Sequence, residues 1–268
     1  MGGSLLGAMA ISPTPSPDQD LIVSSPSPVE PNTPWATTIV PKTCGPIAFV
    51  GGNEWGEGAT YDRTLLEWSG SNKVTVLPTA AAFEHPQKAI DTASNWFSTL
   101  GAKVEGLMVL NRNDAFEERF IDAISGSKFI YLGGGSPLHL RSVFRDSPVY
   151  DAIIRAWLGG AVLVGSSAGA MVLGNPMVDP RGGAFTVGLG IINNFSVIPH
   201  FDTGNPERIA RSFALAPPKI VVAGIPERTA LMRDPSGNWI HSGVGMASTF
   251  LEGKPCDFSL LDGLIATE

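Results

Sequence analysis

The pentapeptide Gly165-Ser166-Ser167-Ala168-Gly169 constrains this chain more than any other stretch. It directly follows an apolar run, Ala161-Val162-Leu163-Val164, and directly precedes the small residues Ala168-Gly169-Ala170. Apolar run, sharp turn and helix start together describe a bend that lifts the Ser167 hydroxyl above a sheet, at the start of a helix. Glycines on either side leave room where a side chain would crowd the bend. A serine placed so is a candidate nucleophile.

The rest of the chain fits such a turn. Strand-like runs at Ile47–Val50, Val74–Leu77, Val104–Leu110, Phe129–Leu132 and Ala161–Val164 alternate with helical patterns at 62–68, 86–100, 115–124, 138–144 and 149–158. In the 86–100 segment, Ala89, Ile90, Ala93, Trp96, Phe97 and Leu100 recur at close to helical spacing. Uniformly apolar strands separated by helices predict an α/β fold, a mostly parallel sheet covered on both faces. Beyond the serine turn the texture changes. Residues 175–190 read as loop and Phe195–Ile198 as a strand. Residues 206–214 read as a helix capped by Asn205. Strands at 220–223, 230–233, 239–241 and 247–251, with a turn at Asp234-Pro235-Ser236-Gly237, predict antiparallel hairpins at the C-terminal edge. Residues 1–43 carry Pro13, Pro15, Pro17, Pro26, Pro28, Pro31 and Pro34 among Ser and Thr without periodicity. They are expected to be a disordered tail, leaving 44–268 as a single domain.

Composition excludes several functions. A net charge of -7 argues against nucleic acid or an anionic membrane as partner. No run of about 18 apolar residues is present to span a bilayer. Two distant cysteines, Cys44 and Cys256, form neither a disulfide framework nor a metal site, which fits a reducing cytoplasm.

A serine hydroxyl needs a base, an orienter for that base, and donors for the oxyanion. Of the four histidines, His200 ends the strand through Ile198 and so stands at the carboxyl edge where the sites of open sheets gather. It is the expected base. His139 and His241 read as packing or surface residues. Glu84 and His85 read as pocket or helix-start residues. For the orienter, the order Ser, Asp, His points to Asp179, with Asp202 as rival. Oxyanion donors are expected from Ala168 and from the glycine turn Gly133-Gly134-Gly135. Arg208 and Arg211, three apart on one helix, can clamp a substrate carboxylate or merely face solvent.

Five stretches then follow in register: Gly-Gly-Asn-Glu at 51–54, Gly-Gly-Gly-Ser at 133–136, Gly-Ser-Ser-Ala-Gly-Ala at 165–170, Pro-His-Phe at 199–201, and Gly-Ile-Pro-Glu-Arg-Thr-Ala at 224–230. Together they resemble the dipeptidase E / cyanophycinase family of serine peptidases, over roughly residue 46 to the C-terminus. The resemblance implies a class I glutamine amidotransferase-like domain with a flavodoxin-like core. It implies a peptide-bond hydrolase without metal or cofactor, with Ser167 as nucleophile, His200 as base, and Gly134, Gly135 and Ala168 around the oxyanion. Relatives in that family cleave acidic dipeptides or β-aspartyl-arginine units, so a small peptide is the expected substrate of a monomer or homodimer. Glu227 resembles the family's strand-end Glu, which binds a substrate amine or pairs with an arginine; Glu54, after the first strand, reads in the same two ways. An esterase or amidase, and a non-catalytic binding domain, are the alternatives. A glutaminase would place cysteine at position 167.

Overall fold

The structure, a computed structural model, describes Met1 and residues 38–267. Residues 2–37 of the expected tail lie outside the described residues. Residues 38–43 belong to the folded body, because β1 (Thr38–Val40) pairs in parallel with a C-terminal strand (Ile265–Thr267). The Thr38 hydroxyl also accepts a hydrogen bond from the Asn193 amide at 2.9 Å.

A seven-stranded sheet forms the centre. Its members are β2 (Ile47–Val50), β3 (Lys73–Leu77), β4 (Lys103–Gly106), β5 (Phe129–Leu132), β6 (Val162–Ser166) and a later hairpin, Thr229–Arg233 with Trp239–Gly243. The order is hairpin, β2, β6, β5, β3, β4. The five named strands run parallel, and the hairpin joins β2 antiparallel at the edge. Every residue of β2, β5 and β6 is buried. Alternate side chains point to opposite faces. Phe49, Ile130, Leu132 and Leu163 therefore enter one core, while Val50, Phe129, Tyr131, Val162 and Val164 enter the other. Full burial of each such side chain contributes about 1.5–3 kcal/mol.

Helices cover both faces. α1 (Tyr61–Ser69) and α2 (Pro86–Thr99) put Leu65, Ile90, Ala93 and Phe97 on the second core. α3 (Glu118–Ser125), α4 (Pro137–Phe144), α5 (Pro148–Leu158) and α6 (Ala168–Leu173) cover the first. Ser136 and Ser147 cap α4 and α5 by accepting from His139 N–H and Tyr150 N–H. Two elements are shorter than the apolar pattern predicts. The β4 ladder ends at Gly106, since this edge strand has a neighbour on one side only, and Val109 N–H turns back to the Leu107 carbonyl. The segment 115–124 divides into a 3-10 turn, Asp114–Phe116, and α3, because Asp114 spends its carboxylate on the N–H groups of Leu110 and Asn111.

A second sheet, which the sequence pattern does not separate from the first, carries β7 (Phe195–Ile198) and β8 (Val221–Gly224) side by side and parallel. Ser248–Leu251 and Lys254–Cys256 extend it antiparallel. Phe195 and Val197 rest on the same core as Phe49, whose ring meets that of Phe195 edge-on at 5.0 Å. α7 (Pro206–Leu215) follows β7 and is capped by Asn205, whose side chain accepts from the N–H groups of Glu207 and Arg208. Among the described residues no helix is long and apolar enough to cross a membrane.

Candidate active site

The site lies where the carboxyl ends of β6, β7 and β8 converge. β6 stops at Ser166, and the chain turns through Ser167, whose backbone is held at φ 48°, ψ −108°. A non-glycine residue in that region costs about 1–3 kcal/mol, so its surroundings must hold it. They do: Ser167 N–H donates to the Val50 carbonyl at 2.9 Å. The flanking glycines permit the packing below the bend. A Cβ on Gly165 would strike the Gly169 backbone, and one on Gly169 the Leu132 carbonyl. Ser167 itself is half-buried, with its hydroxyl at a cavity of about 300 Å³.

His200 stands two residues past β7. Its N–H donates to the Gly51 carbonyl at 2.8 Å, which ties the two sheets together at the site. Its Nε2 lies 2.9 Å from the Ser167 hydroxyl. The imidazole occupies the space a side chain on Gly52 would fill; Gly52 has φ 111° and no Cβ to obstruct the ring. His200 Nδ1 lies 2.9 Å from Glu227 Oε1. Glu227 sits just past β8, and the parallel pairing of β7 with β8 sets the two loops next to each other. Its other oxygen accepts from Asn53 Nδ2 at 3.2 Å, and Thr203 Oγ1 donates to Oε1 at 3.3 Å. The hydrogen bond with His200 above all, aided by those from Asn53 and Thr203, holds the Glu227 carboxyl below the usual range against partial burial.

Asp179 is not at the imidazole. Its carboxylate makes a two-pronged pair with Arg181, at 2.6 and 3.0 Å. That pair lowers its pKa to about 2. The adjacent arginine captures the carboxylate within its own tight loop, so the place expected for Asp179 is filled by Glu227. The rival, Asp202, does not reach the ring either. It accepts from Glu227 N–H at 2.9 Å and so braces the loop that presents Glu227. Both expectations rested on chain order, whereas adjacency of strands decides the contact. A signal was present: Pro199-His200 and Pro226-Glu227 each follow a short apolar strand in the same way.

The other expected residues distribute around this line. Ala168 is the buried first residue of α6, so its N–H follows directly on Ser167. Gly134 packs against Ser167: a Cβ there would come within 3.4 Å of the serine Cβ. Gly135 lines the same cavity as Ser167. That cavity is walled by Met171, Val178, Ile198 and Ile209, and Arg208 is the one Lys or Arg among the described residues that line it. Arg211 does not share in it; its Nε donates to the Gly182 carbonyl at 2.8 Å and ties α7 to the Asp179 loop. Glu54 lies on the opposite side, in a polar cavity of about 310 Å³ with Asn53, Glu84, His85, Lys88 and Gly134. Burial raises its pKa, opposed by its own N–H, the Ser166 hydroxyl, the Gly134 amide and His200. His139 packs on Phe83 and bonds the Leu110 carbonyl, and His241 sits on the edge hairpin. Among the described residues no group of three His, Cys, Asp or Glu side chains could hold a metal ion.

A hydroxyl on a strained strand-to-helix bend, hydrogen-bonded to an imidazole that is itself bonded to a carboxylate, is the arrangement of a serine hydrolase. The chain belongs to Peptidase family S51, whose profile matches residues 50–237. It is 32% identical over 204 residues to a cyanophycinase of Synechococcus elongatus, a match covering 71% of this chain and 63% of that protein. It is 28% identical over 144 residues to Peptidase E of Citrobacter koseri, covering 48% and 57%. Among solved structures, a peptidase from an acI-B1 Actinobacterium superposes with a TM-score of 0.72 at 27% identity, covering 82% of this chain and 99% of that one.

Proposed function

We propose that this protein is a serine peptidase that hydrolyses small peptides or isopeptides through an acyl-enzyme, with Ser167, His200 and Glu227 as its triad. The observation that carries the proposal is the unbroken hydrogen-bonded line from Ser167 Oγ through His200 to Glu227, both links at 2.9 Å. His200 Nε2 takes the hydroxyl proton as Ser167 Oγ attacks the scissile carbonyl carbon. Glu227 holds the ring orientation and stabilises the imidazolium that forms. The N–H groups of Ala168 and Gly135 receive the developing oxyanion. His200 then returns the proton to the leaving amine, the C–N bond breaks, and a water activated by the same ring releases the acyl group. The relatives named cyanophycinase and Peptidase E support a peptide or isopeptide bond as the target.

A panel of free dipeptides and β-aspartyl dipeptides, run beside a fluorophosphonate probe, tests this. The expected result is a covalent adduct on Ser167 that depends on His200, together with amide cleavage. Cleavage of simple esters alone moves the protein to the esterase reading. Absence of any adduct favours a binding domain that keeps the bend as scaffold.

A further inference from the structure

The cavity of about 300 Å³ at Ser167 has walls whose chemistry the triad does not explain. The nucleophile and the base each bring an apolar neighbour to it. Met171 lies one helical turn after Ser167, and Ile198 is the last residue of β7, two before His200. Val178 and Ile209 complete the apolar wall. Met171, Val178 and Ile198 are nearly fully buried and belong to one hydrophobic cluster, with Ile209 packed against it. The polar groups around the cavity are already engaged. The Asn205 side chain accepts from N–H groups at the start of α7, and Ser212 donates to the Arg208 carbonyl at 3.0 Å. Asp179 and Arg181 bond each other, and their loop presents Pro180 and Gly183 to the cavity. Gly183 fits closely against α7: a Cβ there would lie 3.0 Å from Ser212 Oγ. The bond from Arg211 to the Gly182 carbonyl holds this loop and the helix together.

The position of His200 tells which part of a substrate enters. His200 lines this cavity and does not line the polar cavity across Gly134. The imidazole returns its proton to the leaving amine, so the leaving residue extends on the imidazole's side. Burying a leucine-sized side chain against such walls is worth roughly 10–150-fold in binding. The exposed Arg208 guanidinium offers a side-chain carboxylate about 5-fold at most. A cationic side chain meets no Asp or Glu among the described residues lining the cavity, and it would be desolvated near that arginine.

Resting on the peptidase reading, we propose that this cavity is the subsite for the leaving residue, and that Met171, Val178, Ile198 and Ile209 make it select an apolar side chain there. The substrate class is a peptide or isopeptide whose leaving amino acid is of leucine or phenylalanine type. Basic and acidic leaving residues are the poorer substrates.

The test uses the full chain and dipeptides in aspartyl, β-aspartyl and glycyl series, each with glycine, leucine, phenylalanine, glutamate or lysine as leaving residue. Release of the free amino acid gives kcat/KM. Within a cleaved series, wild type is expected to prefer leucine and phenylalanine over glycine by roughly 10–150-fold. Lysine should fall below glycine, and glutamate should stay within about 5-fold of it. Ile209→Asp places a carboxylate in the wall and is expected to lower the leucine-to-lysine ratio at least ~10-fold. A ratio of two substrates on one protein sample does not depend on the fraction folded, so mere loss of structure cannot produce that change. Leucine and phenylalanine within about 3-fold of glycine, or glutamate or lysine above leucine, overturn the proposal and leave the peptidase reading intact, and this comparison needs no variant. An unchanged leucine-to-lysine ratio in Ile209→Asp, in protein whose Ser167 still takes a fluorophosphonate, likewise overturns it. Cleavage in no series, with Ser167 unlabelled, removes the peptidase reading and this proposal with it.

Discussion

Two loops at the same edge of the molecule each offer a carboxylate, and they use it in opposite ways. In the loop after residue 178, Asp179 turns inward on its own segment and is held by Arg181 two residues on. In the loop after β8, Glu227 reaches across to another strand and meets His200, while its backbone is anchored by Asp202. The first acid stabilises a turn. The second connects three segments far apart in sequence. A carboxylate is available to an imidazole only when no nearer cation has claimed it, and when strand pairing brings its loop alongside. Both conditions hold at Glu227 and neither holds at Asp179.

The largest expected effect removes the group that both readings share. Ser167→Ala should lower kcat/KM at least ~10⁴-fold with the fold intact, measured by peptide hydrolysis and circular dichroism. Substantial residual turnover would break the mechanism before the acids are even compared. The comparison itself is sharpened by paired amides. Glu227→Gln should cost about 10²–10⁴ in kcat, the scale on which a triad acid matters. Asp179→Asn should change it by less than ~3-fold, since this side chain bonds within its own loop to Arg181 and not to His200. The reverse ranking would restore Asp179 as the orienter. Asp202→Ala removes the acceptor for Glu227 N–H, acts through Glu227 and is a positioning change. It should lower kcat by about 3–10-fold at unchanged KM, because a small misplacement of a catalytic group is felt in the chemical step.

The smallest effect concerns stability. Asp62 is fully buried with one oxygen accepting from Trp96 Nε1 at 2.8 Å and the other without a hydrogen-bond partner. Burial raises its pKa well above the usual value. The folded state therefore holds a proton that the unfolded chain has released, and this contribution to stability falls as pH rises above the unfolded pKa. Asp62→Asn lacks that dependence. Urea unfolding should show the variant gaining on wild type between pH 5 and pH 8, and a gain that is flat across that range would contradict a protonated Asp62.

Much of the architecture is legible in the amino acids because it depends on short-range pattern. Ile47–Val50, Phe129–Leu132 and Val162–Val164 read as unbroken apolar runs, as parallel strands buried on both faces must. The Ser167 bend announces itself through its glycines, and His200 through its place after β7. Three things are not legible in this way. The second sheet is hidden because β7 and β8 have the same texture as strands of the first, and only their partners distinguish them. The contact of Glu227 rather than Asp179 with His200 follows from that pairing, so a reading by chain order reaches an acid that does not touch the imidazole. β1 escapes notice because three residues in a proline-rich stretch carry no period; the strand exists through its C-terminal partner.

Gly52 shows how far such dependence extends. The ring of His200 sits where any substituent on that α-carbon would go. One added methyl at this position would therefore push the imidazole off the serine while leaving Ser167, His200 and Glu227 unmutated. The fitness of the whole site is in this sense recorded at a position with nothing to contribute except emptiness, and a survey that looked only at reactive groups would pass over it.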